Sequence, residues 1–352
     1  MTSSSYPPVS DLRVLMITSE WPSADRPERV PFLVQQVSRL KEMGVYIDLF
    51  TFKGNKNPFN YLRAWACLRL QYPLSQYDLI HAQFGQSGAL ALPTNRPLLV
   101  TFRGTDLQGN VGANGHYTWR GRILQHLSRF VARRASLNIV VSEHLKSLLP
   151  AGCAVEVIPS GVDIELFTPS NQREARRQLG LPLDKKLVLF AASCSRPVKR
   201  FGLARAAVDK LTEDFDVELV TTGAVPHSLM PAYMNACDAL LLTSSHEGSP
   251  NVVKEALACQ LPVVSVPVGD VPERLRNIEG CVVCSDDSVE TIAAGLSQVL
   301  RWGGRVNGRP AVLDLDDRKI GQQIIRLYEK IVAAHKGIDA GQTVPLRERL
   351  AE

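Results

Sequence analysis

The chain has 352 residues, 45% of them hydrophobic and 21% charged, with a formal net charge of +5. That length and apolar content suffice for two cores of ordinary domain size, and the longest apolar runs are only strand-length, which excludes a membrane-spanning helix. Seven scattered cysteines, with no apolar core or basic start in residues 1–10, fit a reduced, cytoplasmic setting rather than a disulfide framework.

Residues 12–18 form an apolar run that reads as a first strand, followed by a loop and a helix over 31–43. This βα unit opens a Rossmann-like sheet. Further strands are expected at 45–50, 78–83, 97–101 and 137–142, with a helix at 61–70. Strand 78–83 ends in polar residues. Ligands of open α/β sheets bind at the carboxyl ends of strands, so His81 is a candidate acceptor contact, with a structural histidine as the competing reading. After the fourth strand come Arg103, Gly104 and Asp106 and a glycine-rich loop reaching His116. A guanidinium cannot act as a base at pH 7, but it holds phosphate or carboxylate through a planar fork; pairing with Asp106 is the alternative.

The first half holds the whole basic excess: residues 1–165 carry 17 basic and 12 acidic side chains, residues 166–352 carry 23 of each. Much of it lies in Arg120, Arg122, Arg129, Arg133 and Arg134, interleaved with apolar residues from Trp119 to Val131. A core-facing helix with a solvated basic face explains the pattern, and contact with an anionic membrane surface is the second reading. Basic residues are not clustered with aromatics in a groove-like pattern, so nucleic acid is not an expected partner. A domain boundary near 165–182 divides the chain into units at 1–165 and 166–336, with a loose tail at 337–352.

The second unit opens with an apolar run at 187–192, followed by Arg196 and Lys199. Cations at a helix start are costly against the helix dipole unless an anion is bound. Strands are expected at 217–223, 239–243 and 262–266. Between the last two, Ser249 reads as an N-cap and Pro250 as the first helical residue, with Val252, Val253, Ala256 and Leu257 as the apolar face. Free amides near this helix start form an anion site. Glu247 precedes the cap, while Glu255 lies about 7 Å along the axis beyond Pro250. One carboxylate can accept from ribose hydroxyls and the other from sugar hydroxyls, with a diphosphate between them. Residues 268–273 read as a loop, 288–300 as a helix, and 314–332 as a last helix. Cys281 and Cys284 lack the second pair that a zinc site requires. The Asp-x-Asp triplets at 214–216 and 314–316 read as structural.

The run Glu247-Gly248-Ser249-Pro250-Asn251-Val252-Val253-Lys254-Glu255-Ala256 resembles the Glu-x7-Glu signature of the retaining glycosyltransferases of family 4, roughly E-G-F-G-x-x-x-x-E-A. Ile158-Pro159-Ser160-Gly161-Val162-Asp163 is similar to that family's I-P-N-G-V-D segment, and Arg196 and Lys199 match its Arg–Lys spacing. The resemblance implies an α/β chain of two Rossmann-like domains facing a cleft, the GT-B fold, with the last helix crossing back to the first domain. It implies transfer of a hexose-like unit from a nucleoside diphosphate sugar to an acceptor hydroxyl with retention, the leaving phosphate taking the acceptor proton. Glu247 would contact the donor sugar, Glu255 the ribose, Arg196 and Lys199 the diphosphate and Gly223 the base. Gly248, Ser249, Asn251 and Val252 complete the donor set. His81, Arg103, Gly104 and Asp106 fall on the acceptor side, and Glu247, Arg196, Lys199 and Arg103 make up the expected catalytic set.

No cofactor or metal is implied. The expected acceptor is a glycan or lipid-linked intermediate of cell-surface glycan synthesis at the cytoplasmic membrane face. Three departures stand out: Arg103 where the family has His, Pro250 where it has Gly, and residues 26–32 where many members have paired glycines. There Arg26 or Arg29 would substitute by side chain. They leave two alternatives, a catalytically inactive nucleotide-sugar-binding subunit and a sugar-nucleotide epimerase of the same fold.

Overall fold

A computed structural model describes residues 12–23, 29–54, 57–109, 118–223 and 225–337. Arg26, His116 and the tail beyond Gly337 lie outside the described residues. Strands β1 (Arg13–Thr18), β2 (Tyr46–Thr51), β3 (Leu79–Gln83), β4 (Leu98–Phe102), β5 (Leu137–Val140) and β6 (Val155–Val157) form one parallel sheet in the order β2-β1-β3-β4-β5-β6. Strands β7 (Lys186–Phe190), β8 (Val217–Thr221), β9 (Ala239–Leu242), β10 (Val263–Ser265) and β11 (Val282–Val283) form a second, in the order β11-β10-β9-β7-β8. The chain is thus two doubly wound α/β units, as its alternation of apolar runs and helical segments implies.

Parallel strands with helices on both faces have no solvated side, so their sequences lose the in-out alternation. β3, β4 and β9 are buried at every residue. In each sheet the second strand lies on one side of the first and the third on the other. The winding therefore reverses between β1 and β3, and again between β7 and β9. The loops leaving these pairs diverge and open a crevice at the carboxyl edge, where ligands of such sheets bind.

The last helix, Asp317–His335, returns to the first unit and packs on helix Pro31–Glu42. Ile320, Ile324, Tyr328 and Ile331 form its buried stripe at helical spacing. Arg39 Nε donates to Asp317 Oδ2 at 2.9 Å, and Lys336 Nζ reaches Asp78 at 3.1 Å. Gly161 sits where a Cβ would come 2.6 Å from the Cα of Asp317, so only glycine lets the inter-domain strap meet this helix.

Two local expectations are corrected. Residues 268–273 are not all loop, because Val271–Leu275 is a short helix. The boundary interval contains helix Gln172–Leu179, tied to the second unit by buried Arg176, whose guanidinium meets Asp238 at 2.8 Å.

Tyr328 is fully buried, and its hydroxyl lies 2.6 Å from His81 Nδ1. Tyr328→Phe is expected to cost about 1–3 kcal/mol in urea unfolding, because a buried polar partner is left unsatisfied. Arg326→Ala, on the exposed face of the same helix, is expected to change stability by less than about 0.5 kcal/mol.

Candidate active site

The site begins at the switch point of the second sheet. The loop after β7 ends in a 3-10 turn, Pro197–Lys199, and the loop after β9 is stitched onto it. Thr243 Oγ1 donates to the Lys199 carbonyl at 2.8 Å, Arg200 Nε to the Thr243 carbonyl at 2.6 Å, and the Ser245 amide to the Val198 carbonyl at 2.9 Å. These bonds bring Lys199 Nζ to 2.5 Å from Glu247 Oε1, with both side chains 16% exposed. Arg196 stands exposed just before the turn. Gly223 ends the run after β8, where a Cβ would lie 2.6 Å from the Cα of Ser193. The close approach of two loops therefore requires glycine at that position.

Helix Asn251–Ala258 starts one residue later than its sequence suggests. Pro250 is the N-cap and provides no side-chain cap. Ser249 Oγ instead donates to Asp270 Oδ2 at 2.8 Å, a charged acceptor that also takes Arg274 at 2.7 Å. Glu255 is nearly buried, with Oε1 2.9 Å from His227 Nε2. His227 was not foreseen; its only sequence signal is its place shortly after a strand. Four buried polar atoms, Thr222 Oγ1, Ser244 Oγ, Asn251 Oδ1 and Asp270 Oδ1, have no partner among the described residues. Buried polar groups are nearly always bonded. These four all follow strands of the second sheet, at the edge where a ligand would enter.

The first domain meets this edge directly. Gln108 Nε2 donates to the Glu247 carbonyl at 3.0 Å, and a Cβ on Gly248 would lie 2.5 Å from the Arg103 carbonyl oxygen. Arg103 and Gly104 thus sit against the Glu247–Gly248 turn. The Arg103 guanidinium does not reach for Asp106; it donates to Ser160 Oγ at 2.5 Å, Gln36 Oε1 at 2.8 Å and Gln83 Oε1 at 3.0 Å, over the ring of Phe32. Burial among these neutral acceptors pushes its pKa down to about 10, against a smaller opposite effect of Asp106. Asp106 itself accepts from the amides of Arg103, Gly104 and Leu107, holding the turn at the start of helix Thr105–Gln108. Lys254, fully buried, donates to the Ser160 carbonyl at 2.8 Å, and desolvation pushes its pKa down to about 7. Arg29 pairs with Glu20 at 3.0 Å.

His81 is fully buried, with Nδ1 on Tyr328 and Nε2 2.7 Å from Thr101 Oγ1, so neither ring nitrogen is left for an acceptor. Of the two readings of this residue, its geometry fits the structural histidine. Asp214 and Asp216 lie beside Arg301 and Lys185, and Asp314 beside Lys319. Among the described residues no group of three His, Cys, Asp or Glu could hold a metal ion.

Residues 10–166 match the family model Glycosyltransferase Family 4, and residues 185–301 match Glycosyl transferases group 1. The chain thus carries a Glycosyltransferase Family 4 domain followed by a Glycosyl transferases group 1 domain. It is 31% identical over 218 residues to the candidate teichuronic acid biosynthesis glycosyltransferase TuaC of Bacillus subtilis, covering 55% of this chain and 54% of that protein. It is 29% identical over 182 residues to D-inositol 3-phosphate glycosyltransferase of Mycobacterium tuberculosis, covering 44% and 38%. The match thus spans about half or less of these relatives' own length. Sucrose-phosphate synthase of Thermosynechococcus elongatus superposes with TM-score 0.76 at 18% identity, over 92% of this chain and 100% of that one. HepE of Anabaena in complex with UDP does so with TM-score 0.66 at 18% identity, over 91% and 100%. At these identities the likeness establishes the GT-B fold.

The geometry of His81 gives a pH dependence. Desolvation, with a smaller effect of Arg103, pushes its pKa down to about 3, whereas the unfolded ring takes a proton below about pH 6.5. Stability present at pH 7 is therefore lost as the pH falls from about 6.5 towards 3, by at most about 1.4 kcal/mol per pH unit. In urea unfolding, the stability gap between wild type and His81→Gln is expected to narrow from pH 7.5 to pH 5. A gap that stays constant would contradict this assignment.

Proposed function

We propose that this glycosyltransferase moves a hexose-like sugar from a nucleoside diphosphate sugar to a hydroxyl of a glycan or lipid-linked acceptor in cell-surface glycan synthesis, with retention and without a metal ion. The observation that carries the reading is the Lys199–Glu247 pair at the β7/β9 switch point, on the sheet edge whose loops also hold four of the twelve buried side-chain polar atoms without partners among the described residues. A diphosphate entering there gives Lys199 a new anion and releases Glu247 to accept sugar hydroxyls. Arg196 and the start of helix Asn251–Ala258 add positive potential where the leaving phosphate gains charge. Glu255, oriented by His227, is placed to accept from ribose.

The sugar–phosphate bond breaks as the acceptor oxygen bonds the anomeric carbon on the same face, and the acceptor proton passes to the leaving phosphate oxygen. No protein base is needed. The side chains of Arg103 and His81 are consistent with that: one is a cation held by neutral acceptors, the other a buried ring with both nitrogens bonded. Gln108 and Gly104 lie over the Glu247 turn, an arrangement suited to excluding water from the donor. The names of relatives support the substrates in kind, TuaC through teichuronic acid biosynthesis and HepE through UDP.

A thermal-shift and sugar-release screen against nucleotide sugars tests the proposal. One donor is expected to raise stability by about 2.7 kcal/mol at one hundred times its Kd, with slow release of free sugar. Lys199→Ala and Glu255→Ala are both expected to abolish the shift. No shift with any donor would contradict the site, and binding without release or transfer to any acceptor would contradict the transferase.

A further inference from the structure

Twelve large hydrophobic side chains are exposed among the described residues, and seven of them crowd onto two helices of the first domain. Helix Pro58–Gln71 presents Phe59, Leu62, Trp65 and Leu70; helix Trp119–Arg134 presents Trp119, Ile123 and Phe130. Leu70 is 83% exposed, Phe59 78% and Trp119 66%. Both helices pack against the same short helix, Gly85–Ala91. The right-handed connections from β2 to β3, β3 to β4 and β4 to β5 put all three on one side of the sheet. Trp65 Nε1 donates to the Leu92 carbonyl at 3.1 Å and Arg69 to the Pro93 carbonyl at 2.8 Å. Leu92 and Pro93 in turn line an open depression of about 600 Å³ with Phe130 and Arg134. The two apolar stripes are therefore one continuous face.

Its charge is of one sign. The two helices contain seven arginines and no aspartate or glutamate. Three guanidiniums lie over the exposed rings, Arg69 over Trp65 at 5.4 Å, Arg120 over Trp119 at 5.2 Å and Arg134 over Phe130 at 5.0 Å. An apolar body beside a cation suits the boundary between acyl chains and phosphates, where the ring is buried and the cation meets the headgroup. A second copy of the chain fits poorly, because a two-fold contact through this face would bring the arginines of both copies together.

We propose that this face docks the first domain on an anionic phospholipid bilayer. The arginines contact lipid phosphates, and the exposed aromatic and aliphatic side chains enter the interfacial layer. Both helices begin at the carboxyl edge of the first sheet, which meets the second domain, so docking holds the mouth of the cleft close to the lipid surface. Among the described residues no helix is long and apolar enough to cross a membrane, and attachment through a face needs none.

Sedimentation with vesicles of phosphatidylcholine, with and without phosphatidylglycerol, tests this. The full chain is expected to sediment only with the anionic vesicles, and less as salt is raised. Phe59→Ser with Leu70→Ser and Trp119→Ser, and separately Arg120→Gln with Arg133→Gln and Arg134→Gln, are each expected to weaken binding about ten-fold or more. All six side chains are exposed, so both variants are expected to keep the wild-type circular dichroism and donor-induced thermal shift. That readout separates failure of the docking face from failure of the donor site. The proposal is overturned if the chain ignores anionic vesicles at low salt or if both variants sediment like wild type. It is also overturned if the same substitutions abolish dimerisation or oligonucleotide binding while vesicles go unbound.

Discussion

A largely buried ion pair, Lys199 with Glu247 at 2.5 Å, is the contact that the rest of the site is built around. A carboxylate and an ammonium withdrawn from water are each costly alone, so their mutual support matters more than at a surface. The sheet topology sets them together. β7 and β9 are neighbours with diverging loops, and bonds from Thr243, Arg200 and Ser245 close the two loops into one structure. Glycines stand where this crowding leaves no room for a Cβ, at Gly223 against Ser193 and at Gly248 against Arg103.

The second constraint is how the first domain is held over that pair. Ser160, in the strap between the domains, accepts from Arg103 of the first domain and from Lys254 of the second. The last helix adds a further tie on the first sheet, where Tyr328 reaches His81 and Asp317 reaches Arg39. Arg103 and His81 therefore belong largely to the machinery that fixes the domains against each other. The Gln108 bond to the Glu247 carbonyl carries that arrangement to the site itself.

The strands were legible because parallel, doubly covered strands read as unbroken apolar runs, and the helix that carries the second half of the Glu-x7-Glu run starts within one residue of its expected place. What was not legible depends on distant partners. Ser249 has the composition of an N-cap, but Asp270, twenty-one residues on, is a stronger acceptor and takes its hydroxyl. A histidine at a strand end looks the same whether it faces a cleft or a tyrosine 247 residues away. Lys254 and Gln108 are residue types usually solvated, and only the closed domains reveal them as contacts between halves of the chain. Helix Gln172–Leu179 was hidden because its polar face and its buried Arg176 resemble a linker.

The central claim is that a nucleoside diphosphate replaces Glu247 as the anion facing Lys199. A crystal structure with UDP bound tests it most directly. The account predicts the diphosphate between Lys199 Nζ and the start of helix Asn251–Ala258, the ribose on Glu255 and the base beside Gly223. UDP bound anywhere else, or bound with the Lys199–Glu247 pair intact and untouched, would contradict it.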